Sequence, residues 1–184
     1  MSFKVFILDF DGVITSLNIN WDEVKRKASK IAGFDIPSLT KFFENNFSTK
    51  LFWKVSKLVE KYEIMAVKIA KPYPDVKTSL EILSRSGKVI FLATMQATCP
   101  VTFFLEKHGL MNYFYEILTR DMFGSKRKQL NYILNKVDIP PRTIVLIDDS
   151  RYNYKICRKL KLACILLKQR NNYTLYKVIT DLLT

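Results

Sequence analysis

Two aspartates one residue apart, Asp9 and Asp11, close a run of four apolar residues in the segment VFILDFDGVIT at positions 5–15. An ionised carboxylate is costly to bury without a partner, so an acidic pair at the end of a core-seeking run needs a chemical reason. A second pair, Asp148 and Asp149, closes the run TIVLIDDS, and Thr94 closes a third, VIFLAT. Carboxylates converging from separate segments repel one another unless a cation sits between them. Hard oxygen donors of this kind suit Mg2+, which keeps several waters and bridges to a phosphate. A carboxylate nucleophile held rigidly at the end of a buried strand, with a cation beside it, fits phosphoryl transfer, where positioning and charge stabilisation dominate.

Such convergence requires particular elements. In open parallel sheets ligands bind outside the carboxyl ends of the strands, which is where all three runs stop. Short apolar, β-branched runs predict strands at 4–10, 88–94, 116–119, 143–148 and 163–167. Those around Ile7, Ile90 and Val145 lack alternation, as strands buried on both faces should. Helical patterns separate them at 75–86, 100–108, 125–136, 151–160 and 174–183. The fold class is therefore α/β with a central parallel sheet. From Asn20 to Lys71 no strand pattern occurs; helices are expected at 21–32, 38–46 and from 49 to 62, continuing toward Lys71. This is a helical insertion after the first strand, and the PYP at 72–74 punctuates the return.

At 184 residues the chain fits one core domain with a modest insertion, and 48 % apolar residues suffice for a packed core. Lys and Arg outnumber Asp and Glu by 30 to 17, a net charge of +13 that attracts anions: phosphorylated metabolites, nucleic acid or acidic headgroups. Seven basic residues and no acidic one fall in 151–170, a stretch without a nucleic-acid-binding motif. Three cysteines, Cys99, Cys157 and Cys164, form no CxxC and leave one over. That count argues against a disulfide framework or a zinc site and suggests a reducing, cytoplasmic setting. No run reaches the roughly 18 apolar residues of a membrane span.

In order, DFDGVIT, FLAT, GSK and IDDSRYN resemble the four motifs of the haloacid dehalogenase superfamily, and the resemblance covers essentially the whole chain. It implies a Rossmann-like three-layer core at 1–15 and 72–184 with a small helical cap of the C1 type at 16–71. It further implies a Mg2+-dependent phosphatase acting on a small phosphorylated substrate. Asp9 resembles the nucleophile that becomes an aspartyl-phosphate. Asp11 resembles the general acid/base, whose backbone carbonyl also reaches the metal in related enzymes. Thr94 matches the hydroxyl that binds a phosphoryl oxygen. Lys126 matches the cation that neutralises phosphoryl group and nucleophile, with Lys128 a competitor in the same SKRK run. Asp149 resembles the metal ligand of the fourth motif, and Asp148 a second or outer ligand. Departures are Val13 and Met95, where many relatives carry Thr and Asn, and Asn153, where many carry Asp.

Other readings compete. A phosphomutase would use the same motifs, and a dehalogenase the same fold. The positive charge also keeps open a nucleic-acid-binding protein or a nucleic-acid end phosphatase. Asp11-Gly12 alone would read as a turn, Thr94 as a strand residue, and Lys126 as part of a solvated helix start. Trp21 and Trp53 in the insertion read as core before they read as substrate contacts.

Overall fold

A computed structural model describes residues 3–169 and 173–184. Five strands, β1 (Val5–Leu8), β2 (Val89–Ala93), β3 (Glu116–Leu118), β4 (Ile144–Asp148) and β5 (Ala163–Leu166), form one parallel sheet in the order β3-β2-β1-β4-β5. β1 lies in the middle, and Leu8 pairs with Leu92 on one side and Ile147 on the other. That register brings the residues after all three strands to one rim.

The strands lack alternation because each faces two cores. Phe6, Leu8, Ile90, Leu92, Val145 and Ile147 point to one side, against helices α4 (Val76–Arg85), α5 (Thr98–Lys107) and α9 (Leu175–Leu183). Val5, Ile7, Phe91, Ala93, Ile144 and Leu146 point to the other, against α7 (Lys126–Val137) and α8 (Arg151–Lys159). Period-two geometry assigns neighbouring residues to opposite faces, so a doubly covered strand is apolar throughout.

Between β1 and α4 lie α1 (Trp21–Ala32), α2 (Leu39–Asn46) and α3 (Lys50–Ile69). They bury their own cluster, which includes Val24, Ala28, Phe42, Phe43, Phe52, Val55 and Val59. The chain leaves and returns at one neck, where Thr15 pairs with Pro72 and its hydroxyl donates to the Lys71 carbonyl at 2.7 Å. α3 is a single 20-residue helix whose Val67 reaches the main core.

The structure revises several expectations. β1 is shorter than 4–10: the Asp9 N–H still donates to the Ile147 carbonyl at 3.0 Å, but Phe10 begins the turn that closes on Thr15. A short helix α6 (Arg120–Phe123) follows β3, which the sequence pattern did not suggest. Cys157 and Cys164 form a disulfide that ties α8 to β5, while Cys99 is free and exposed. An odd cysteine count cannot show that the last turn of α8 lies beside β5, and the count no longer speaks to a compartment. Trp53 is 41 % exposed rather than core. In the basic stretch, Arg151, Lys155, Arg158 and Lys159 are exposed on α8, and Arg170 lies outside the described residues. Among the described residues, no helix is long and apolar enough to cross a membrane.

Candidate active site

Asp9 sits one residue beyond β1, where Lys126 Nζ donates to its Oδ1 at 2.8 Å. The same ammonium lies 3.0 Å from Asp148 Oδ2 and donates to the Ala93 carbonyl, so one cation touches the ends of β1, β2 and β4. Lys126 can do this because it is the first residue of α7, which starts at the rim behind the N-cap Ser125. Lys128 turns outward, its Nζ 5.0 Å from the centre of the Phe47 ring. The sequence favoured Lys126 over its competitor Lys128, and of the two only Lys126 reaches the carboxylates.

Asp148 is held by α8. Asn153 Nδ2 donates to its Oδ1 at 3.2 Å and Oδ2 at 3.0 Å, and the Ser150 backbone N–H donates to Oδ1 at 2.8 Å. The Asn153 amide thus orients the Asp148 carboxylate. Asp149 is more open and lies 3.6 Å from Lys168 Nζ. It packs against Gly12, whose φ is +82°; a Cβ there would lie 2.4 Å from Asp149 Cγ. Gly12→Ala is therefore expected to destabilise by about 2 kcal/mol or more, from left-handed backbone strain and the clash together. Urea unfolding measures this, and a change under about 0.5 kcal/mol would show that the close approach is relaxed at no cost.

Carboxylate oxygens of Asp9, Asp148 and Asp149 all lie within 4.8 Å of one another. All are hard anionic donors, the set that Mg2+ takes. Asp11 stands outside this trio by its side chain, because its Oδ1 accepts from the Leu17 N–H at 2.9 Å.

The electrostatics express crowding. Burial pushes the Asp9 carboxyl up to about 8, reinforced by Asp148 and opposed by Lys126. Burial also raises Asp11 to about 6, partly offset by the Leu17 N–H. Asp149 is raised by burial and then by Asp148. Burial alone would lower the Lys126 ammonium, yet the Asp148 and Asp9 carboxylates outweigh it and hold it above its ordinary value. Two ammoniums, buried Lys126 and the more exposed Lys168, face three carboxylates, and the negative charge left over is one a divalent cation would neutralise.

Thr94 is buried just after β2. Its hydroxyl donates to Gln96 Oε1, and its carbonyl accepts from Gln129 Nε2 at 2.7 Å. The carboxylates open into a cavity of about 410 Å3 lined on the insertion side by Trp21, Ser38, Thr40 and Lys41. Trp21 packs against the insertion's own core and also faces this cavity. A second cavity of about 290 Å3 adjoins it, sharing Trp21, Thr40, Met95 and Gln96 and ending at Phe43, Glu63 and Arg120.

Sequence reasoning missed Glu63, Gln96 and Arg120. Two signals were available. Glu63 falls on the buried stripe of α3 with Phe52, Val55, Ser56 and Val59, where an acid needs a partner. Arg120 follows a parallel strand at the rim where ligand sites form.

Residues 6–167 match the family of haloacid dehalogenase-like hydrolases. A phosphoglycolate phosphatase of Vibrio vulnificus is 30 % identical over 93 residues, 49 % of this chain and 41 % of that protein. A phosphoglycolate phosphatase of Aliivibrio fischeri is 33 % identical over 82 residues, 43 % of this chain and 36 % of that protein. The chain thus spans about two fifths of the length of the curated relatives it matches. Among solved structures, a haloacid dehalogenase-like hydrolase of Streptococcus pneumoniae superposes with a TM-score of 0.68 at 16 % identity, covering 97 % of this chain and 98 % of that one. A haloacid dehalogenase-superfamily hydrolase of Geobacter sulfurreducens gives 0.67 at 15 % identity, covering 98 % and 96 %. At such identities these structures speak to the fold.

Proposed function

Because the chain belongs to the haloacid dehalogenase-like hydrolases, we propose that it is a Mg2+-dependent phosphatase that cleaves a small phosphate monoester through an aspartyl-phosphate on Asp9. The observation that carries this reading is the single buried ammonium of Lys126 held between Asp9 and Asp148 beside the open carboxylate of Asp149.

Asp9 attacks phosphorus, and Lys126 screens the approach of anion to anion. The bound Mg2+ would supply further charge neutralisation of the phosphoryl oxygens. Asp9 and Asp149 would hold it directly. Asp148 supports from outside, since its two oxygens already accept four contacts, from Ser150, Asn153 twice and Lys126. Asp11 protonates the leaving oxygen and then activates the water that hydrolyses the acyl phosphate. A carboxyl raised to about 6 by burial holds and releases a proton near neutral pH. The Thr94 hydroxyl receives a phosphoryl oxygen.

α1–α3 form the cap, residues 16–71 of the chain. The leaving group lies between cap and core, where Trp21 and Met95 line both cavities. The relatives named phosphoglycolate phosphatase suggest an acid on that group, and Lys41 on the cavity wall offers it a cation.

The test is phosphate release from an aryl phosphate and a panel of sugar, nucleotide and organic-acid phosphates, phosphoglycolate included. Chelator is expected to lower the rate by at least about 10^2-fold, with Mg2+ restoring it. Asp149→Asn should raise the Mg2+ concentration for half-maximal rate by about tenfold or more. A rate unaffected by chelator would remove the metal from the mechanism. Turnover of a haloacid under the same chelator would favour a dehalogenase instead.

A further inference from the structure

Residues 94–97 link β2 to α5 and place Met95 and Gln96 on the cavity wall, with the buried Thr94 hydroxyl donating to Gln96 Oε1 behind them. A loop that must present a hydroxyl to a phosphoryl group needs its backbone fixed, and this one has no regular structure of its own. Its polar groups are instead held from outside. Arg120 Nη1 donates to the Met95 carbonyl at 2.8 Å, and the Arg120 backbone N–H donates to the Gln96 carbonyl at 3.0 Å. Glu63 Oε2 accepts from the Ala97 N–H at 3.1 Å.

Gln129 Nε2 holds the Thr94 carbonyl from α7, while the two side chains that hold the loop at 95 and 97 also hold each other. Arg120 Nη1 and Nη2 donate to Glu63 Oε1 and Oε2 at 2.7 and 3.1 Å. Arg120 Nε donates to Ser56 Oγ at 3.0 Å, and the guanidinium lies 4.7 Å from the centre of the Phe43 ring. Glu63 is 0 % exposed and Arg120 1 %. A buried ion pair is weak evidence for stability, since apolar residues of similar volume often serve as well. Its geometry therefore calls for another explanation. Glu63 and Ser56 belong to α3, whereas Arg120 and the loop belong to the sheet's rim.

We propose that Glu63 and Arg120 are positioning residues, which brace the 94–97 loop against α3 and set the place of Thr94 and Gln96 for the incoming phosphoryl group. The bidentate pair fixes the guanidinium plane, and that plane aims one N–H at the Met95 carbonyl. Glu63 spends its second oxygen on both Arg120 and the Ala97 N–H, so a shift of α3 moves the loop. The inference rests on the phosphatase reading for what the loop receives; the bracing itself is independent of it.

The test pairs Glu63→Leu with Arg120→Met in one protein, because either single change would strand a buried charge. Near-ultraviolet circular dichroism and a cooperative melt establish that the double variant is folded. With an aryl phosphate and saturating Mg2+, kcat is expected to fall on the order of 10^2-fold with KM changed less than about threefold. Hydrogen exchange at the 97 amide should quicken by about tenfold or more, with the β1 and β4 amides unchanged. Arg120→Lys, which keeps the charge against Glu63 and drops the bond to the Met95 carbonyl, runs beside it and should lose about tenfold in kcat. If the double variant does not fold, Arg120→Lys decides alone. Unaltered kcat in a folded variant, or unaltered exchange at 97 in the double variant, would overturn the bracing role. If wild type releases no phosphate from any ester, the phosphatase reading fails, and the exchange result still decides the bracing.

Discussion

Asp9→Asn is expected to lower phosphate release by about four orders of magnitude or more, with the protein still folded. An amide cannot form the acyl phosphate, and no other described carboxylate pairs with Lys126 from the end of the central strand. Activity within tenfold of wild type would assign the nucleophile elsewhere. The same variant carries a stability signature of opposite sign. Burial raises Asp9 from 3.8 to about 8, so between those values the folded chain holds a proton that the unfolded chain has released. Stability from this group therefore falls as pH rises through that window. In chelator, wild type should lose more melting temperature between pH 5 and pH 8 than Asp9→Asn. Equal slopes would mean that Lys126 neutralises Asp9 fully without a metal.

Lys126→Met removes the one cation that, among the described residues, pairs with both buried carboxylates. Loss of one partner from a buried pair costs about 3–5 kcal/mol, because the remaining charge stays desolvated. Here Asp9 and Asp148 both lose their counter-charge, so the upper end of that range is expected in urea unfolding. Protonating Asp9 in the folded state would relieve part of the cost, making the loss smaller at pH 5 than at pH 8. Phosphate release should fall by about 10^3-fold, as when a preorganised donor is removed from a developing anion. Lys128→Met is the control. Its ammonium stands over Phe47, and the change should cost under about 1 kcal/mol with the rate unchanged. Comparable losses in both variants would mean that the basic run, and not Lys126, serves the site.

Much of this site was legible in one dimension. Asp9, Asp148 and Thr94 each end a run of apolar residues, and a parallel sheet leaves such residues at one rim whatever the details of packing. Doubly buried strands announce themselves by unbroken hydrophobicity, and 3.6-residue periodicity marks the helices between them. Lys126 was legible through its place in the GSK motif, with Leu130 four residues later on the core side, although Lys128 in the same SKRK run competed with it.

Local pattern fails where a residue's meaning depends on its neighbour in space. Glu63 and Arg120 are 57 positions apart, and only the packing of α3 onto the rim makes them a pair. Cys157 and Cys164 become a disulfide because α8 ends beside β5, which no count of cysteines expresses. Trp21 and Trp53 have the same type and the same insertion, yet one lines the cavity and the other faces outward. Strand ends, helix starts and the acids and cation they carry follow from short-range pattern, because hydrogen-bond geometry and burial act within a few residues. The buried brace, the disulfide and the cavity walls were decided by tertiary packing, because their energies arise between elements that the chain brings together only once it is folded.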